Sequence, residues 1–148
     1  MRILLQRVSE AAVHSNGELL GNCKKGLVLL LGVGNEDSEK EADFLLDKCI
    51  NLRIFSDENG KMNLSLLDIQ GEILLISQFT LYADSRRGRR PSYTDAAEPT
   101  KAEALYKYFH QQLQAKGIKV ATGKFAADMQ VSLVNDGPVT IWLEKEAE

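Results

Sequence analysis

Hydrophobic residues recur along this chain in three rhythms. From Met1 to Val13 apolar and β-branched residues are interrupted by polar ones, and Asn16-Gly17 supplies a hairpin turn before Glu18 to Cys23, so a β-hairpin is expected at the start. Gly26 to Val33 is a continuous apolar run bounded by glycines, the pattern of a strand buried on both faces. The third rhythm is helical. Ser38 with Glu41 three residues on forms a capping-box signature, and Ala42, Leu45, Cys49 and Leu52 follow on one face, predicting a helix over Ser38 to Asn51.

Beyond it, Leu52 to Phe55 reads as a short strand, Asp57-Glu58-Asn59-Gly60 as a turn, and Glu72 to Tyr82 as a long strand with a buried Ile73-Leu74-Leu75-Ile76 centre. Thr100 with Glu103 repeats the capping signature after Pro99. Leu105, Tyr108, Phe109 and Leu113 form an apolar stripe, and Gly117 stands where a helix ends in a left-handed residue. Ile118 to Ala121, Met129 to Val134 and Val139 to Leu143 complete the strands, the last two joined by an Asn135-Asp136-Gly137-Pro138 turn. Two helices and strand pairs at both ends predict a mixed α/β fold in which antiparallel sheets dominate and the helices cover one face.

Composition narrows this picture. The 148 residues, 44% hydrophobic and 26% charged, suit a single domain spanning 1–148. The longest apolar run, Leu27 to Leu31, is too short for a bilayer and the amino terminus lacks an export pattern, so a cytoplasmic protein is expected. Cys23 and Cys49 lack metal-ligand spacing and are read as reduced, at least partly buried thiols. A net charge of −3 and a pI near 5.5 argue against coating nucleic acid by bulk electrostatics; no DNA partner is expected and any RNA contact must be local.

The inventory of catalytic groups is thin. His14 and His110 have no His-Glu-x-x-His motif, paired cysteines or acidic cluster beside them, so no metal and no cofactor is expected, and no Gly-x-Ser-x-Gly elbow supports a serine triad. Ser77-Gln78-Phe79-Thr80 bunches hydroxyls, an amide and an aromatic ring where a buried strand emerges; strand alternation alone would turn Gln78 and Thr80 to solvent and Phe79 to the core. Arg86-Arg87-Gly88-Arg89-Arg90 sets four guanidinium groups in one loop of an acidic protein. Arginine's planar fork suits phosphate oxygens, though a solvated basic loop fits the residues equally well.

Gln6-Arg7-Val8, Asn51-Leu52-Arg53-Ile54-Phe55, Lys61-Met62-Asn63-Leu64-Ser65, Ser77 to Asp84, Gly88-Arg89-Arg90-Pro91 and Val131 to Thr140 together resemble the D-aminoacyl-tRNA deacylases from end to end. The resemblance implies a β/β/α layering and a homodimer with active sites at the subunit interface. It also implies hydrolysis of the ester of D-aminoacyl-tRNA, and of glycine mischarged on tRNA(Ala). In that family a cis Gly137-Pro138 reaches into the partner's site and rejects L-amino acids, and Arg7 braces the motif from behind. Ser77, Gln78, Phe79 and Thr80 would form the catalytic segment, Met129 would line the pocket, and Arg86, Arg87, Arg89 and Arg90 would meet tRNA phosphates. The ester's vicinal 2′-hydroxyl would help activate water. Thr80 is read as a positioning residue first and a nucleophile second, because no base stands beside it in sequence.

Overall fold

The computed structural model describes residues 1–148: eight strands, two α-helices and one 3₁₀ turn. The organising element is β1 (Arg2–Ser15), which pairs antiparallel with three others. Its first half lies against β3 (Gly26–Gly32), its second half against β2 (Glu18–Cys23), and its opposite edge runs beside β8 (Gln130–Glu144) along nearly its whole length. Beyond β3 the sheet continues through β6 (Glu72–Ser77) and β7 (Val120–Thr122), both parallel to their neighbours. The sheet then curls until β2 approaches β7. At Gly21 an added Cβ would stand 2.8 Å from the Thr122 carbonyl oxygen, so the near-barrel closes on a glycine. A two-stranded hairpin, β4 (Phe55–Ser56) with β5 (Met62–Leu64), stands apart.

Strand alternation divides the interior into two cores. Leu27, Leu29 and Leu31 of β3 and Ile73 and Leu75 of β6 face α1 (Glu39–Asn51) and α2 (Pro99–Ala115), joining Leu45, Phe55, Phe109 and Leu113 in the larger cluster. Val28 of β3 and Leu74 and Ile76 of β6 face the other way, into a smaller cluster inside the curled sheet with Val8, Ala11, Val13 and Cys23. This double burial explains the unbroken apolar run of β3. The layers are therefore sheet, sheet and helices.

On β1 the buried parity changes from Ile3 and Leu5 to Val8, and again to Ala11 and Val13. Ser9 is an extra residue between the pairs Val8↔Asn135 and Glu10↔Val134, and such a bulge turns every later side chain to the other face. Plain alternation already turns Val8 away from Ile3 and Leu5 into the inner core, and the bulge keeps Ala11 and Val13 on that same side.

The capping box of α1 is present: the Ser38 hydroxyl accepts from Lys40 N, and Glu41 accepts from Ser38 N at 2.8 Å. That of α2 is not. Pro99, with φ already helical and no N–H to satisfy, occupies the first turn, and Glu98 is the N-cap without a side-chain bond, so Thr100 and Glu103 lie inside the helix. Gly117 follows the C-cap Lys116 in the left-handed region, as expected. Both cysteines are free and buried. No helix is long and apolar enough to cross a membrane.

Three strand expectations are corrected. Leu52 to Ile54 form no strand, and β4 begins only at Phe55, because the short hairpin pairs Phe55 with Leu64. The strand foreseen over Glu72 to Tyr82 stops at Ser77 and gives way to a 3₁₀ turn, Phe79–Tyr82. Asn135 to Pro138 is not a hairpin turn, since Met129 to Val134 and Val139 to Leu143 belong to one strand pairing with the same partner, β1.

Candidate active site

Parallel pairing carries β6 to Ser77 beside Leu31, and the Gln78 amide still donates to the Leu31 carbonyl at 2.8 Å. There the ladder ends and the chain tightens, with Leu81 N bonding to Gln78 O and Ala83 N to Thr80 O. The first N–H groups of such a turn have no acceptor within it, so Phe79 and Thr80 offer backbone donors at its open end. The Gln78 side-chain amide donates to the Thr80 hydroxyl, which accordingly points toward Gln78 rather than toward a base. Phe79 is 55% exposed and meets Tyr93 edge-to-face, with ring centroids 5.0 Å apart. Leaving the strand is what frees Phe79 from the core position that alternation assigned to it.

Ser77, Gln78 and Phe79 open onto a cavity of about 630 Å³ whose other walls include Ala102, Phe125 and Met129. It is chiefly apolar, with a few polar groups, Ser77 and Gln78 at the strand end and Glu98 and Asp128 on other walls, the common build of a small-ligand site. Met129 lines this cavity while packing against the inner core, and its sulfur accepts from Lys124 N at 3.4 Å. Gly123 leaves room for that side chain, since a Cβ there would lie 2.4 Å from the Met129 sulfur.

Asn135 to Thr140 lies elsewhere. Between the pairs Gln6↔Thr140 and Val8↔Asn135 the single residue Arg7 opposes Asp136, Gly137, Pro138 and Val139, so β8 arches away from β1. The arch is pinned at its base. Asn135 accepts from Val139 N at 3.0 Å and donates to the Thr140 hydroxyl at 2.9 Å, while Val139 is buried in the larger core. Arg7 donates to the carbonyls of Asp136 at 2.9 Å and Ile54 at 2.6 Å. Gly137 has a φ of +146°, and a Cβ on it would come within 2.7 Å of Val139 Cγ2, so glycine is required. The Gly137-Pro138 bond is cis, and both residues are exposed at the crest. Neither lines the cavity.

The arginine loop is closed by a bridge between Asp84 and Ser92, which places it directly after the 3₁₀ turn. Asp84 holds Arg86 through two bonds, 2.8 and 2.7 Å, and these bonds keep its own carboxyl down at about 2. Arg87, Arg89 and Arg90 are exposed with no carboxylate partner. His14 sits on β1 and His110 on α2, neither lining the cavity. Burial lowers the pKa of His110.

Sequence reasoning thus named residues that the structure gathers into three places: the turn at the cavity mouth, the arch on β8 and the basic loop. It missed Tyr93, which no motif marks, and Arg2, which folding brings to the turn, where it donates to the Leu81 carbonyl. The family described as D-Tyr-tRNA(Tyr) deacylase matches residues 4–144. A D-aminoacyl-tRNA deacylase of Thermosipho melanesiensis is 57% identical over 99% of this chain and 98% of its own length. One of Bacillus cereus is 53% identical over 99% and 100%. Among solved structures, one titled "c-Myc DNA Unwinding Element Binding Protein" superposes with a TM-score of 0.93 at 42% identity, covering 99% of this chain and 100% of the other. A "probable eukaryotic D-amino acid tRNA deacylase" shares the fold, with a TM-score of 0.82 at 16% identity over 96% and 97%. The chain belongs to the D-Tyr-tRNA(Tyr) deacylase family, enzymes that hydrolyse aminoacyl-tRNA esters.

Proposed function

We propose that this protein hydrolyses the ester of D-aminoacyl-tRNA, and of glycine mischarged on tRNA(Ala), in the cytoplasm, as a homodimer whose subunits complete each other's sites. The observation that carries this reading is the separation of Ser77, Gln78 and Phe79, which line a cavity with Thr80 bonded to Gln78 just outside it, from an exposed and braced Gly137-Pro138 that does not line that cavity. A second copy of the chain can supply the missing wall. A fixed backbone arch excludes the wrong enantiomer by collision, which discriminates better than weaker attraction.

At the turn, the Phe79 and Thr80 N–H groups are the oxyanion donors, each worth roughly 3 to 4 kcal/mol to the transition state. Thr80, held by Gln78, positions the substrate, and the ribose 2′-hydroxyl assists the attacking water. Phe79 packs against the terminal adenosine, Gln78 hydrogen-bonds the substrate and Met129 shapes the pocket.

The decisive assay incubates the protein with D-tyrosyl-tRNA and L-tyrosyl-tRNA in parallel. Release of D-tyrosine alone is expected. Release of both would mean an unselective esterase, and tRNA binding without release of either would leave an RNA-binding protein.

Arg86, Arg87, Arg89 and Arg90 are assigned to tRNA phosphates, with Arg86 preset by Asp84. Changing Arg87, Arg89 and Arg90 to Gln should weaken tRNA binding and reduce the slope of log affinity against log salt by about 2 to 3, close to one per lost phosphate contact. Filter binding across a salt series reads this, and unaltered affinity at low salt would remove the loop from the interface.

A further inference from the structure

The carbonyl end of the 3₁₀ turn has a bonding problem of its own. Were the turn to continue, the Leu81 carbonyl would accept from Asp84 N, but Asp84 N is committed to Ser92 O at 2.8 Å, where it closes the arginine loop. Arg2 answers the orphaned acceptor, its Nη1 donating to Leu81 O at 3.0 Å. The same guanidinium lies 4.3 Å from the centroid of the Tyr82 ring, the last residue of the turn. Its Nε donates at 2.7 Å to Glu144 on β8, and the Trp142 ring on that strand is 5.8 Å away. A cation at the carbonyl end of a turn is favourably placed against its dipole, and a planar fork can serve two acceptors while stacking on a ring.

We infer that Arg2 is a positioning residue for the deacylation: it caps the Phe79–Tyr82 turn and ties it to β8, fixing where the Phe79 and Thr80 N–H groups point. Through Trp142 and Glu144 it also fixes the turn against the strand that carries Gly137-Pro138. This rests on the reading of the Ser77–Thr80 segment as the reaction site. Arg2 touches no substrate, so its loss acts on the chemical step and not on tRNA binding.

The test is Arg2→Met, which keeps an apolar stem and removes the fork. Two readouts are taken: kcat and KM on D-tyrosyl-tRNA, and amide hydrogen exchange in the substrate-free protein at Leu81, Ala83 and Asp84, with Leu27 to Leu31 as the core reference. The inference expects kcat to fall about tenfold, as for a misplaced catalytic group, with KM within about twofold. It also expects exchange to quicken in the turn and stay unchanged in β3. An unchanged kcat, an equal loss of protection in β3, or unchanged exchange in the turn would each overturn it. Should wild-type protein fail to release D-tyrosine, the deacylase reading falls, and the exchange arm still decides whether Arg2 holds the turn. If Arg2→Met does not fold, Glu144→Gln removes one anchor of the fork and should lower kcat in the same direction by a smaller factor; an unaltered kcat there overturns the inference too.

Discussion

Gly26→Ala should yield no cooperatively folded protein. Gly26 opens β3 directly opposite Glu72 in the parallel ladder, and a Cβ built there would lie 1.8 Å from the Glu72 carbonyl oxygen, with the Glu72 carbonyl carbon and nitrogen both at 2.7 Å. All three are backbone atoms, so no side-chain rotation relieves the collision. Relief requires β3 and β6 to separate where Leu27, Val28, Ile73 and Leu74 are fully buried on both sides of the sheet. Ordinary overpacking costs about 1 to 3 kcal/mol; prising apart a central pair adds lost ladder bonds and buried area, so a cost above about 4 kcal/mol is expected, a large part of a domain's stability. Circular dichroism with urea titration reads the outcome. A sharp transition near the wild-type midpoint would mean that the two strands are not so closely opposed.

Arg7→Met should cost less stability but more function. The guanidinium, 12% exposed, satisfies the Ile54 and Asp136 carbonyls, and a charge-assisted bond of this kind contributes roughly 1.5 to 3 kcal/mol. Destabilisation of about 2 to 4 kcal/mol is expected, since Met fills much of the space but donates nothing. The larger effect falls on the arch, which loses its brace from β1 while Asn135 and Val139 still hold its base. If the arch is the wall that excludes L-amino acids, kcat/KM on D-tyrosyl-tRNA should fall by about a hundredfold, the scale of an ångström-level misplacement, and the D-over-L ratio should shrink with it. Parallel assays on both substrates, at a temperature where urea titration shows the variant folded, separate the contributions. A preserved D-over-L ratio would make Arg7 a scaffold residue and move the chiral wall elsewhere.

What the sequence disclosed divides along the range of the interaction. Period and caps are local, so the doubly buried β3 and the helix begun by Ser38 and Glu41 were legible. Where two local rules competed, the reading went astray: Thr100 and Glu103 have the spacing of a capping box, but Pro99 starts the helix two residues earlier. Residues 135–138 have the composition of a turn. They form an arch instead because β1, more than a hundred residues away in sequence, holds both flanks in one ladder. The same applies to Phe79, which alternation places in the core: the strand ends at Ser77, and Gln78 makes the last bond to Leu31 before the chain tightens. Ser77, Gln78, Phe79 and Met129 could be named from family resemblance, and folding brings them to one cavity. Arg2 and Tyr93 have no local signature, because their partners come from distant segments.

The pairing of β1 with β8 also bears on how the chain reaches this state. Arg2 stands opposite Glu144, so one whole edge of the first strand made waits for the last. During synthesis that edge presents open N–H and C=O groups beside the apolar Ile3, Leu5 and Val8 until β8 has left the ribosome. Closure of the sheet therefore joins segments more than a hundred residues apart, a pairing of high contact order. Long-range pairing of this kind slows folding, and until it forms the unpaired edge of β1 is a template for another chain.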